Sequence, residues 1–315
     1  FFADTSSGAI TMNLPAGTAG NIVSVVDYTN TFQNNALTIT PNGSQKIGGV
    51  AASFIASTEG QSLTFVYVDD TEGWKNVQDS TSNATGQLFV TATGGTIATC
   101  GNCKIHTFTG PGTFCVSQIS NIPTNNQVSY MVVAGGGGGG SVRAAGGGAG
   151  GFREDKSPTT PYTASPLDGA GDISVTATGF PITVGAGGSG APFSPPDNRG
   201  LATAGSNSVF STITSTGGGR GATDGTPGAF PAPEGGQPGG SGGGSVDAQP
   251  VGTGNTPPVN PSQGNSGSPG SNTSNYGAGG GGGATAAGGS TSPSVGGAGG
   301  AGATTSISGS PLAYA

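Results

Sequence analysis

Between Phe1 and Gln78 apolar residues alternate with polar ones over short stretches, as in Ile10-Thr11-Met12-Asn13-Leu14 and Leu37-Thr38-Ile39. That is the two-residue period of a strand with one buried face, and no 3.6-residue stripe competes with it. Turn chemistry falls between the runs, at Pro15-Ala16-Gly17, Gln33-Asn34-Asn35, Pro41-Asn42-Gly43, Glu59-Gly60 and Asp70-Thr71-Glu72-Gly73. The spacing, a strand about every ten residues, predicts antiparallel β-structure. In Leu63-Thr64-Phe65-Val66-Tyr67-Val68 both alternate faces are largely apolar, so this strand is expected to be covered on both sides, by a second sheet or by another subunit. A segment of about eighty residues buries little core alone, which favours another subunit as the cover.

A Ser/Thr/Asn-rich joint at Asp79 to Gly86 leads into a second pattern. Lys104-Ile105-His106-Thr107-Phe108 and Thr113-Phe114-Cys115-Val116-Ser117 flank Thr109-Gly110-Pro111-Gly112, which reads as a β-hairpin: Pro presets φ and Gly accepts a positive φ. Val128 to Val133 forms a last strand that runs straight into six consecutive glycines, Gly135 to Gly140.

From Ala134 onward the chain is another material. It holds 52 of the 66 glycines, clustered at Gly135 to Gly140, Gly146 to Gly151, Gly185 to Gly190, Gly217 to Gly221, Gly235 to Gly244, Gly277 to Gly283 and Gly296 to Gly302. No Gly-X-Y register persists, so collagen is rejected. Flexible linker, extended β and left-handed three-residue-per-turn helices of the polyproline II type remain. The helices are favoured, because bare backbones approach closely and satisfy one another's N–H and C=O groups. Ordering so many glycines costs about 0.5 to 1 kcal/mol each beyond alanine, while a hydrogen bond returns about 1 kcal/mol net. Nearly all the bonds therefore have to form together.

The strands fall where such a lattice needs a base. Phe180-Pro181-Ile182-Thr183-Val184 enters Gly185, Val209-Phe210-Ser211-Thr212-Ile213-Thr214 enters Gly217, and a strand-like segment spans Ser306 to Tyr314. Glycine helices are thus expected to project from a β-structured base and return, with the intervening segments at the far end. If the runs alternate in direction, Ser141 to Ala145, Ala191 to Arg199, Ala222 to Glu234 and Ala284 to Val295 share one tip. Tyr162, Phe193, Phe230 and Tyr276 lie among Pro, Ser and Asn in these and similar segments. They are the candidate binding residues, as rigid aromatic anchors for sugars or protein loops, or else they cap the lattice against water. The expected class is all-β: short antiparallel β-domains over 1–79 and a hairpin connector over 80–133, then a polyglycine II bundle with loops over 134–315.

Charge and candidate chemistry mostly exclude. The net charge of −7, with no basic stripe, argues against nucleic acid, and no apolar run approaches a spanning helix. The chain opens on Phe1-Phe2-Ala3-Asp4 without Met or a leader pattern and ends just after a strand-like segment, as a piece cut from a longer polypeptide would. Cys100-Gly101-Asn102-Cys103, His106 and Cys115 are residue types of a zinc site, but their spacing matches no usual zinc pattern. Reduced thiols are expected, with a disulfide from Cys115 to Cys103 or Cys100 as the alternative. His106, the only histidine, reads as structural in its alternating strand. No nucleophile elbow is present and the glycine clusters lack the Lys-Ser/Thr ending of a phosphate loop, so no catalytic residue, cofactor or metal is assigned. Asp69, Asp70 and Glu72 read as a solvated turn rather than a calcium loop.

Phe2-Ala3-Asp4-Thr5-Ser6-Ser7-Gly8, Val26-Asp27-Tyr28, Asn42-Gly43-Ser44, Tyr67-Val68-Asp69 and Glu72-Gly73-Trp74 resemble a β-domain of marine bacteriophage tail fibres. Lys104 to Phe114, followed by Tyr130-Met131-Val132-Val133-Ala134 and the glycine run, resembles the glycine-rich module of similar fibres. In architecture alone, the later part is similar to phage tail-tip adhesins built from packed polyglycine helices. The resemblance implies a homotrimeric, extracellular virion fibre that meets other tail-fibre or baseplate proteins and a host surface glycan or outer-membrane protein. A cellular extracellular fibril or matrix protein is the alternative. An ice-binding glycine-helix protein is a third, disfavoured by the irregular segment lengths.

Overall fold

A computed structural model describes the chain except for residues 78–85, 142–143, 195–197, 224–233, 248 and 272–276, and except for the side chains of 193–194 and 198–199. It divides into two compact units, Phe1–Val90 with Ile119–Asn125, and Thr91–Gln118 with Asn126–Ala315.

The first unit contains β1 (Phe2–Ala3), β2 (Ile10–Asn13), β3 (Ile22–Asp27), β4 (Leu37–Thr40), β5 (Phe54–Ala56), β6 (Ser62–Tyr67) and β7 (Trp74–Asn76). They form a four-stranded sheet in the order β1-β3-β6-β7 and a three-stranded sheet in the order β2-β4-β5. Most pairs are antiparallel, while β1 joins β3 and β2 joins β4 in parallel. Alternation sets what is buried: Val23, Val25, Leu63, Phe65, Tyr67 and Trp74 face one core with Leu37 and Ile39. The opposite face of β6 is not closed off, with Thr64 and Val66 half-buried and Ser62 exposed. Double coverage of this strand is therefore not achieved among the described residues.

Asp27 ends β3 inside this unit and organises two loops. Its Oδ1 accepts from the N–H of Thr31 at 3.1 Å, and its Oδ2 from those of Phe32 and Gly60, each at 3.1 Å. Burial alone would raise this carboxyl, but the backbone donors outweigh it and hold it below the usual carboxylate range. With a depressed folded pKa, Asp27 contributes stability above the unfolded carboxyl range, and that stability is lost as pH falls through the folded value. Trp74, the single tryptophan, is buried in the same core. Its fluorescence in urea should report a falling midpoint below about pH 4. Asp27→Asn should be weaker at neutral pH and show a flatter acid limb; an unchanged acid limb would contradict this account.

The second unit contains β8 (Thr91–Thr93), β9 (Thr96–Cys100), β10 (Cys103–Thr107), β11 (Gly112–Gln118), β12 (Gln127–Val128), β13 (Tyr130–Val133), β14 (Phe152–Asp155), β15 (Ile173–Ser174), β16 (Gly179–Thr183), β17 (Phe193–Ser194), β18 (Asn198–Arg199), β19 (Ser208–Phe210), β20 (Ile213–Ser215), β21 (Ala303–Thr305) and β22 (Leu312–Tyr314). Among the described residues of the chain there is no α-helix, so the protein is all-β. The main sheet runs β20-β19-β16-β11-β8, with small antiparallel pairs β13-β14 and β21-β22.

The expected hairpin around Thr109–Gly112 does not form. β10 pairs with β9, and β11 pairs with β8 and β16, so the two arms belong to different sheets. Gly101-Asn102 supplies a tighter two-residue turn, with Gly101 at φ 56°, which joins β10 to β9, while β11 takes other partners. Val209–Thr214 is likewise two strands rather than one: Phe210 pairs with Ile213 across Ser211, at φ 53°.

The glycine runs carry no strand assignment, yet they bond laterally to one another. In the run 135–140, the N–H groups of Gly135 and Gly138 donate to Ser206 and Thr203, while those of Gly137 and Gly140 donate to Gly148 and Ala145. The carbonyls of Gly136 and Gly139 accept from Gly188 and Ala191, and those of Gly135 and Gly138 from Gly218 and Gly221. Each neighbour thus returns every third residue. The run 241–246 is bonded to 145–151, 216–222, 234–240, 250–256, 263–269 and 277–284, through Ala149, Gly219, Gln237, Gly252, Asn265 and Gly282 among others. Positive φ is not what selects glycine here, because no glycine of 135–140, 146–151, 217–221 or 277–283 has one. Space is: a Cβ at Gly138 would stand 2.0 Å from the Ser189 carbonyl oxygen, and one at Gly150 1.9 Å from that of Ala134.

Candidate functional site

The hydrogen bonds also give the runs their direction. In 145–151 Ala145 meets Gly140 and Gly151 meets Ala134, so this run descends beside the ascending 135–140. Gly188 and Ala191 bond to Gly136 and Gly139, so 185–191 ascends, and Thr203 and Ser206 bond back to Ser189 and Ala186, so the next run descends. The alternation continues through the later runs. One end, the base, gathers the strands that feed and receive them: β13, β14, β16, β19, β20 and β21.

The far end is a tip. Gly140 donates to Ala145 at 3.1 Å, Ala145 to Ala222 at 3.2 Å, Ala222 to Gly244 at 3.1 Å, Ala191 to Gly139 at 2.9 Å, and Ser245 to Ser268 at 2.9 Å. Ala145, Ala222 and Val246 form a small buried cluster beneath it. The segments Ser141 to Ala145, Ala191 to Arg199 and Ala222 to Glu234 therefore leave and re-enter the lattice at one end, as expected. Ala284 to Val295 does not behave as a fourth tip loop. Ala284 sits at the base, packed with Phe152 and Ala303; the chain then climbs again, and only the bridge between Ser292 and Val295 reaches the far end.

The four candidate aromatics separate on this geometry. Phe193 is in β17, which pairs with β18 in a small tip hairpin. Phe230 lies between Thr223 and Glu234, which bridge each other at the tip, and Tyr276 precedes Gly277, which accepts from Ser271 at 2.7 Å. Phe230 and Tyr276 themselves lie outside the described residues. Tyr162 belongs to the base. Its side chain is half-buried, its hydroxyl is buried, and burial, reinforced by Glu154 nearby, pushes the phenol well above its usual range. The surrounding Pro and Ser made it look like the others, but it lies in the segment 156–172, beside Glu154 of β14.

That loop depends on charges which sequence reasoning passed over. β14 is buried at every position, including Arg153, Glu154 and Asp155. Glu154 accepts from the Ser165 N–H at 2.9 Å and from the Thr305 hydroxyl at 2.5 Å. Arg153 donates to the carbonyls of Ala170 at 3.0 Å and Pro261 at 3.3 Å. Asp155 accepts from Gly171 at 3.1 Å, and burial first, with Asp172 and Asp168 nearby, raises its carboxyl. These side chains tie the segment 156–172 and strand β21 to the base. The signal was available: four consecutive charged residues, Arg153 to Lys156, in a chain only 7% charged.

The cysteine and histidine positions do not converge. Cys103 faces Cys100 in the β9–β10 hairpin, His106 faces Ile97, and Cys115 faces Thr93 and Gly179 in another sheet. All three thiols are free, and no group of three or more His, Cys, Asp or Glu among the described residues is arranged to hold a metal. His106 donates from Nδ1 to the Gly94 carbonyl at 2.8 Å and meets Phe114 edge-on at 5.0 Å, as a packed structural residue would. Asp69 accepts from Thr71 and Glu72, and Asp70 from the Tyr67 hydroxyl at 2.6 Å, so this acidic turn satisfies itself. No helix among the described residues is long and apolar enough to cross a membrane.

Short sheets that anchor a hydrogen-bonded bundle of glycine runs define a glycine-rich all-β protein. The chain belongs to the family described as the glycine-rich domain, whose model matches residues 109–313. No curated protein matches the chain.

Proposed function

We propose that this chain is a structural and adhesive component of a bacteriophage tail fibre, with the glycine runs packed as polyglycine II helices that carry receptor-binding loops on one end. The observation that carries the reading is the alternation of run direction, which sends every second connecting segment to a common tip. The three-residue recurrence of hydrogen-bond partners supports the polyglycine II conformation, which has three residues per turn. A rigid lattice fixes where its loops begin and end, which lowers the ordering cost at binding, and repeated copies add avidity.

Trimerisation through the first unit is part of the proposal. The outward face of its four-stranded sheet leaves Phe2 80% and Ile22 66% exposed, with Tyr28 packed edge-on against Phe2. An exposed apolar face of this kind suits contact with further copies. Native mass measurement should give a trimer, and a stable monomer would remove that half of the reading.

The tip is tested by substitution. Alanine at Phe193, Phe230 and Tyr276 together should weaken binding to host cells about tenfold or more while melting stays unchanged, as loss of aromatic anchors does. Tyr162→Ala should instead lower the melting temperature and leave binding intact. Antibody against the chain should decorate the tails of virions. Decoration of cell-surface filaments without capsids would favour an extracellular matrix protein instead.

A further inference from the structure

We propose that Cys100 and Cys103 are a redox-active pair that closes into a reversible disulfide across the β9–β10 turn, leaving Cys115 as a single free thiol. The two residues are direct partners in the register, separated only by Gly101-Asn102. Directly opposed antiparallel residues have Cα atoms about 4.5 to 5.5 Å apart, inside the span of about 4.4 to 6.8 Å that a disulfide bridges. Opposed side chains also leave the same face of the hairpin. Cys115 is paired with residues of β8 and β16 and is not opposite either of them.

Accessibility sets the order of events. Cys100 is exposed and Cys103 half-buried. The Cys100 thiolate attacks a small-molecule disulfide, forms a mixed disulfide and releases one thiol. The Cys103 thiolate then attacks the Cys100 sulfur and expels the second thiol. Two protein thiols are oxidised, one external disulfide is reduced to two thiols, and no other reactant is required. The hairpin has a structural use for the bond. Among the described strands β9 and β10 pair only with each other, and every residue of β9 is exposed; an isolated two-stranded hairpin is marginal in water.

The sequence offers a clean assay on the full chain. Trypsin separates the peptide ending at Lys104, which contains both Cys100 and Cys103, from the next one, which contains Cys115. The chain is treated with excess oxidised glutathione, alkylated, denatured and digested for mass spectrometry. An internal disulfide in the peptide ending at Lys104 is expected, together with slower cleavage after Lys104 in the native protein, reversed by dithiothreitol. Cys115→Ser should form the same ring, and Cys103→Ser should trap glutathione on Cys100. A link between the two peptides, or glutathione on all three cysteines without ring closure, would overturn the assignment.

Discussion

Gly219→Ala is expected to unfold the glycine lattice locally and to lower the stability of the second unit by about 3 kcal/mol or more. An added Cβ would stand 1.8 Å from the carbonyl oxygen of Gln237 and close to the following residue, so backbone rather than a flexible side chain would have to move. Gly219 also accepts from Gly148 and donates to Ser241, so separating these runs strands amide groups in the interior. Gly136→Ala is the matched control. Its Cβ would meet nothing nearer than 3.7 Å, and alanine there lowers the entropy of the unfolded chain, so it should be neutral or slightly stabilising. Urea unfolding followed by amide hydrogen exchange resolves the two cases. Equal stability of both variants would mean that close backbone approach is not what holds the runs together.

The contrast repeats with a period of three: Gly139 is open like Gly136, whereas Gly135 and Gly138 are each blocked by a carbonyl oxygen at 2.0 Å. Much of this arrangement was legible beforehand. Strands followed by glycine runs marked the base, and the cost of ordering so many glycines demanded mutual bonding. Which glycine faces a neighbour was not legible, because identical residues carry no phase. Runs interrupted by Ala or Ser hint at it, and Ala149 sits between blocked glycines on both sides.

Two kinds of local signal misled or were missed. Thr109-Gly110-Pro111-Gly112 has the chemistry of a hairpin turn, yet Phe108 packs against Gly94, Gly95 and Gly112, and the segment carries the chain from one sheet to another. Turn residues permit a reversal without choosing its partner strand. In Cys100-Gly101-Asn102-Cys103 the sulfurs draw the eye to metal or disulfide chemistry, although Gly-Asn between strands is itself a two-residue turn signal. At β14 the difficulty was opposite. Alternation is absent because the strand is enclosed on both faces, and charged residues in such a position look like a solvated stretch unless their partners are known. Those partners, Ser165, Ala170, Gly171, Pro261 and Thr305, are spread over the rest of the chain.

That spread is why Glu154→Ala should be the other severe substitution. Glu154 is fully buried, and its two oxygens serve the Ser165 N–H and the Thr305 hydroxyl, the second partner 151 positions away. Its backbone carbonyl also accepts from Ala170 at 2.9 Å, which keeps the loop against the strand. Removing the carboxylate leaves the Ser165 N–H unpaired, leaves the Thr305 hydroxyl with its long 3.5 Å bond to the Thr163 carbonyl, and opens space beside Tyr162, for a loss of about 3 kcal/mol. Glu154→Gln keeps one acceptor oxygen and should lose less. Because Thr305 anchors β21, and β22 pairs only with β21 among the described strands, limited proteolysis of Glu154→Ala should release the segment after Ala303 before the runs are cut. Thr305→Val should reproduce the early release with a smaller change in melting. First cleavage inside the runs, with 303–314 still protected, would show that the lattice supports the base rather than the base closing the lattice.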